Sequence, residues 1–74
     1  MKTLFMYLPN GMHFRAMNGD QLIKRAESRV RTTFCFEEQK TLGCNAIVPG
    51  VTIASANNTQ FVHVCPTTYV LIDA

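Results

Sequence analysis

From Thr41 to Ile72 the chain contains no Lys, Arg, Asp or Glu, and over all 74 residues charged side chains amount to only 16%, against about 25% in an ordinary globular domain. Apolar residues reach 47%, which excludes a disordered chain; what is scarce is surface charge. Long apolar runs are also missing, since no stretch approaches the roughly 20 residues that span a bilayer as a helix. Met1-Lys2 and the run Thr3 to Leu8 imitate the opening of a signal peptide. That run stops at Pro9-Asn10-Gly11, with no small-x-small cleavage site after it. A cytosolic protein with no membrane partner is expected. Cysteine usage points the same way: Cys35, Cys44 and Cys65 are three, and an odd number excludes a complete intrachain disulfide framework. Asn57-Asn58-Thr59 matches a glycosylation acceptor, a chance match in a chain without a secretory leader.

Groups for catalysis are few. The histidines are His13 and His63, and the aspartates are Asp20 and Asp73. They form no carboxylate pair, nucleophile elbow or Cys/His/Asn pattern, and no glycine-rich phosphate loop is present. His13 and Arg15, two apart on one strand face, have the base-and-cation chemistry of small ribonucleases, a pairing common enough by chance that an enzyme is not the leading expectation. Cys35, Cys44, His63 and Cys65 are the donor types of a Cys₃His zinc set. The tight Cys-x₂₋₄-Cys knuckle is absent, with eight residues between Cys35 and Cys44, so the thiols read as small core hydrophobes and neither metal nor cofactor is expected.

The residues present suggest a single α+β domain over 1–74: a hairpin, one amphipathic helix, then two or three further strands, in a ββαβββ-like order. Lys2 to Leu8 is rich in β-formers and meets turn chemistry at Pro9-Asn10-Gly11. In the return strand, Met12 to Met17, Met12, Phe14 and Ala16 oppose His13 and Arg15. Asn18-Gly19-Asp20 reads as a turn into a helix capped by Asp20. Leu22, Ile23, Ala26 and Val30 form its apolar stripe, and Ala26 should sit where helix meets sheet. Thr32 to Phe36 favours an extended chain. Glu37 to Asn45 fits either one helical turn or a loop. Ala46 to Ser55 is β-rich, with a bulge or turn at Pro49-Gly50. Gln60 to Cys65 and Thr68 to Asp73 are expected to pair around Pro66-Thr67. This order of elements looks like that of some small phage-encoded inhibitors, including certain anti-CRISPR proteins; the resemblance is architectural and carries no residues across.

Charge is asymmetric. Residues 1–31 hold six basic against two acidic side chains, a net +4, and residues 32–74 hold one against three, a net −2. Lys24, Arg25, Arg29 and Arg31 make a basic helix face suited to phosphates or an acidic protein surface. Both faces of the last hairpin are apolar, and one helix covers only one of them. Phe61, His63, Tyr69 and Leu71 are therefore interface candidates, for a protein partner or for self-association, because edge strands without charge pair readily with other chains. The function expected is a non-enzymatic protein-binding module, an inhibitor of phage or mobile-element type that occupies a macromolecular surface. The alternatives are a nucleic-acid-binding regulator using the basic face, or a small ribonuclease using His13 and Arg15.

Overall fold

The computed structural model describes residues 1–36, 38–52, 54–55, 57 and 60–73. Among the described residues are eight short strands: β1 (Lys2–Leu4), β2 (His13–Arg15), β3 (Gln21–Lys24), β4 (Thr32–Cys35), β5 (Lys40–Gly43), β6 (Ala46–Ile47), β7 (Phe61–Val62) and β8 (Tyr69–Leu71). The helical content among the described residues is a 3₁₀ turn at Phe5–Tyr7, with no helix of seven or more residues. The α+β expectation is thereby overturned: this is a sheet protein. The architectural likeness to small phage-encoded inhibitors depended on the helix and falls with it.

The expected helix is β3 followed by an irregular segment, 25–31. An isolated helix of this length is marginal in water and must draw its stability from packing. Its proposed stripe held one alanine and one valine at its far end, and in the fold Ala26 is exposed and Val30 is 90% exposed. Pairing on both edges outweighs that stripe. Gln21, Leu22 and Ile23 oppose Arg15, Phe14 and His13 of β2, while Ile23 and Lys24 oppose Ile47 and Ala46 of β6. Asn18-Gly19 is thus a hairpin turn and not a helix lead-in. Gly19 takes φ +99°, which favours glycine. Asn18 Oδ1 accepts the Asp20 N–H at 3.0 Å, and Asn18 Nδ2 donates to the Asp20 carboxylate at 3.1 Å, so Asp20 serves the turn it was expected to leave.

Neither of the two expected hairpins forms. The six-stranded sheet runs β1-β8-β2-β3-β6-β7. β8 lies between β1 and β2, with Thr3 opposite Val70 and Arg15 opposite Leu71. The turn after Pro9 exists, with the Met12 N–H on the Pro9 carbonyl at 3.2 Å, but the 3₁₀ turn carries the chain away before β1 can meet β2. β7 lies at the other end of the sheet, paired with β6. The chain crosses from it to β8 through 63–68, where Phe5 and Met6 donate to Thr68 and Pro66 at 2.9 and 3.1 Å. One core gathers Phe5, Leu8, Phe14, Leu22, Ala46 and Val70, joined by Met12, Val62, Val64 and Ile72. Phe5 and Leu8, from the 3₁₀ turn and its end, pack with the sheet residues in place of the helix that the sequence reading required. Val70 is 1% exposed and Tyr69 52%, so Tyr69 and Leu71 are the outward pair.

β4 and β5 form a separate hairpin arm, with Thr32 opposite Gly43 and Cys35 opposite Lys40. Within the segment 37–45, Lys40–Gly43 is therefore a strand, reached through a turn at 38–39, in place of one helical turn or a loop; Glu37 itself lies outside the described residues. Pro49-Gly50 is a turn, with Gly50 at φ +88°. Asn58 and Thr59 of the glycosylation-type match lie outside the described residues.

Candidate functional site

The arm stands off the six-stranded sheet and leaves a groove of about 430 Å³ between them. One wall carries Phe34 and Phe36, two apart on the strand and its extension and so on one side of it. Their rings meet edge to face at 5.0 Å and 76°, a favoured aromatic geometry. Phe36 is 79% exposed, and Phe34, Met17 and Tyr69 are also exposed. Met17 and Tyr69 belong to the sheet side of the groove, and the Lys2 ammonium sits 5.0 Å from the centre of the Tyr69 ring. Among the described residues no Lys, Arg, Asp or Glu lines the groove. His63 closes its floor. Its Nδ1 lies 2.9 Å from the Gly43 carbonyl, and a carbonyl only accepts, so Nδ1 carries a hydrogen and donates it there.

The expected interface residues do not share a surface. His63 and Tyr69 line the groove. Phe61 lies beneath the Arg31 guanidinium, 4.6 Å from ring centre to cation. Leu71 borders a shallow depression on another part of the sheet. The basic face is also divided. Lys24 is held inside the structure, its ammonium donating to the Phe5 carbonyl at 3.1 Å and lying 4.6 Å from the centre of the Phe5 ring. Arg25 and Arg31 line a second cavity, and Arg29 is exposed in the segment between them.

The depression beside Leu71 is about 160 Å³ and brings His13 and Arg15 together with Gln21 and Asp73. The first two share an outer face, as their alternation implies. Among the described residues no hydrogen bond or ion pair joins His13, Arg15 and Asp73, so no side chain orients the imidazole as a positioned base. Cys44 is buried, and burial raises its thiol pKa above the ordinary range, with nearby Arg31 opposing. Cys35 and Cys65 line the groove instead. Among the described residues no three His, Cys, Asp or Glu side chains are placed to hold a metal ion, and no helix is long and apolar enough to cross a membrane.

Sequence reading missed Met17, Phe34 and Phe36 as groove residues. The i, i+2 spacing of the two phenylalanines was a usable signal, but nothing local shows that the strand carrying them stands apart from the core. Comparisons with protein-family models, with curated proteins and with solved structures find no match.

Proposed function

We propose that this protein is a non-catalytic binding module whose groove holds an uncharged, apolar segment of a partner protein. The observation that carries this is the exposed Phe34–Phe36 pair, facing a groove whose other wall holds Met17 and Tyr69. Exposed aromatic and methionine side chains grouped around a concavity are characteristic of interface centres. The described lining carries no formal charge and so favours a segment that itself brings none against it, because a buried charge without a partner is costly. The ribonuclease reading has weaker support, since among the described residues no side chain is bonded to His13 to orient it.

The test is selection from a displayed peptide library, run in parallel on wild type and on Phe36→Ser. Enrichment of apolar, uncharged peptides by wild type, lost in the variant and in Tyr69→Ser, supports the proposal. Selection of charged peptides, or binding that survives both substitutions, overturns it. Light scattering that shows a dimer dissociated by Phe36→Ser would make a second copy the occupant and overturn it as well.

A further inference from the structure

Among the described residues the two sheets have four edge strands, β1 and β7 in the larger sheet and β4 and β5 in the arm. β1 and β5 each carry a lysine, Lys2 and Lys40, and β7 has only two residues. Lysine and shortness both discourage pairing with another chain. β4 has neither guard: its four residues, Thr-Thr-Phe-Cys, are uncharged and suit a strand. Its edge looks into the groove. Successive side chains of a strand point to opposite faces, yet Phe34, Cys35 and Phe36 all line the groove, and no described residue of β5 joins them. Three consecutive residues share one space where the strand turns its edge to it.

The phase of the ladder fixes what that edge offers. The Cys44 N–H bonds the Arg31 carbonyl at 2.8 Å, one step before the Thr32–Gly43 pair. Bonded and unbonded pairs alternate in an antiparallel ladder. Thr33 and Cys35 therefore direct their backbone groups to β5, while Thr32 and Phe34 turn theirs away from it. Among the described residues no third strand meets them. The open stretch ends at Phe36, whose carbonyl accepts from the Gln39 side-chain amide at 2.5 Å.

We propose, on the footing that the groove is the binding site, that the partner segment docks there as an extended strand added to β4. Its backbone pairs with Thr32 and Phe34, and one alternate set of its side chains lies beside Phe34 and Phe36. In strand addition main-chain bonds supply affinity and alternate side chains supply selectivity. The groove, about 430 Å³, takes a lone extended segment. A second copy is the wrong occupant, because its own β4 edge is walled on the same side by a six-stranded sheet that would have to enter as well.

Amide NMR tests this with two end-blocked, six-residue peptides, one alternating valine and threonine and the other valine and proline. The valine–threonine peptide should bind and slow exchange of the Thr32 and Phe34 amides by about tenfold or more, with less change at Thr33 and Cys35, which already bond β5. Methylating one alternate set of its amide nitrogens should abolish binding and methylating the other set should not, since only alternate N–H groups face β4. Thr32→Pro removes an outward N–H without removing a β4–β5 bond. It should weaken the peptide by about tenfold while the Leu42 amide, across the arm, keeps its shift; should the arm unfold instead, the methylated peptides decide. No binding of the valine–threonine peptide, absent protection at Thr32 and Phe34, equal effects of the two methylated sets, or equal binding of the valine–proline peptide would overturn strand addition. The groove reading survives those results where Phe36→Ser abolishes valine–proline binding. Valine–threonine binding unchanged in Phe36→Ser and in Tyr69→Ser would overturn both.

Discussion

Asn45 and Val64 are paired as two strand residues would be, although one partner is a side chain: Asn45 Oδ1 accepts the Val64 N–H at 2.7 Å and Nδ2 donates to the Val64 carbonyl at 2.8 Å. The Asn45 backbone N–H meanwhile bonds the Val62 carbonyl at 3.0 Å. One residue, 6% exposed, thus prolongs the pairing of β6 with β7 beyond the last true strand position. Asn45→Ala leaves a donor and an acceptor of Val64 without partners, each costing about 1–3 kcal/mol where water cannot reach. The midpoint of urea unfolding should fall by an amount equivalent to about 2 kcal/mol or more. A change below about 0.5 kcal/mol would show that Val64 finds other partners.

The strand at 21–24 makes an expectation opposite to that of a helix. Leu22 is buried against the core and Ala26 is exposed. Leu22→Asp should unfold the domain, since it buries an unpaired charge at a cost of several kcal/mol. Ala26→Asp should cost less than about 1 kcal/mol. Thermal melts of the two variants compare them directly; a helix would reverse the ranking.

Gly43 sits where a side chain has no room. A Cβ there would collide with the Ser28 carbonyl oxygen and come within 2.8 Å of Glu27 Cγ. Gly43→Ala should therefore cost about 1–3 kcal/mol, the usual range for overpacking, and displace segment 25–31. Amide shift changes should concentrate at 27–31. An unchanged melting temperature would mean that the segment yields without cost.

Cys44 gives a dependence on pH. Burial holds its thiol pKa above the ordinary range, so the folded state keeps the proton more tightly than the unfolded chain does. The resulting stability is fully present below the unfolded thiol pKa, about 8.5, and is lost as pH rises through it toward the folded value. Unfolding free energy should decline above about pH 8.5 more steeply in wild type than in Cys44→Ala. At neutral pH, maleimide should label Cys35 and Cys65 before Cys44. Equal slopes, or fast labelling of Cys44, would contradict its burial.

Local features were legible in the sequence, and their partners were not. The alternation of Met12, Phe14 and Ala16 against His13 and Arg15 matches the burial of Phe14 and the exposure of His13 and Arg15. The turns at Pro9-Asn10-Gly11, Asn18-Gly19 and Pro66-Thr67 lie where their residues place them. Each turn, however, was assigned to a hairpin or a helix start, because adjacency in sequence is the default for pairing. β8 displaces that default by entering between β1 and β2. Leu22, Ile23, Ala26 and Val30 carry helical spacing, and periodicity within four apolar residues cannot register that two strands wait on either side of Leu22. At the candidate sites, Arg25 and Arg31 were legible as basic residues. Their apolar companions Ala46 and Phe61 come from distant strands, and no local pattern announces them.

The place of β8 also bears on how the molecule is made. On the ribosome β1 and β2 both emerge well before β8, the strand that joins them. Until it does, Lys2–Leu4 has no ladder partner and the Phe14 side of the sheet has no Val70. Structure can accumulate over β2, β3 and β6, whereas β1 waits for β8 to be made. Such non-local pairing slows folding and leaves strand edges open in the interval, a state prone to aggregation. Yield during expression should therefore respond to the rate of synthesis and to chaperones more than the stability of the finished fold would suggest.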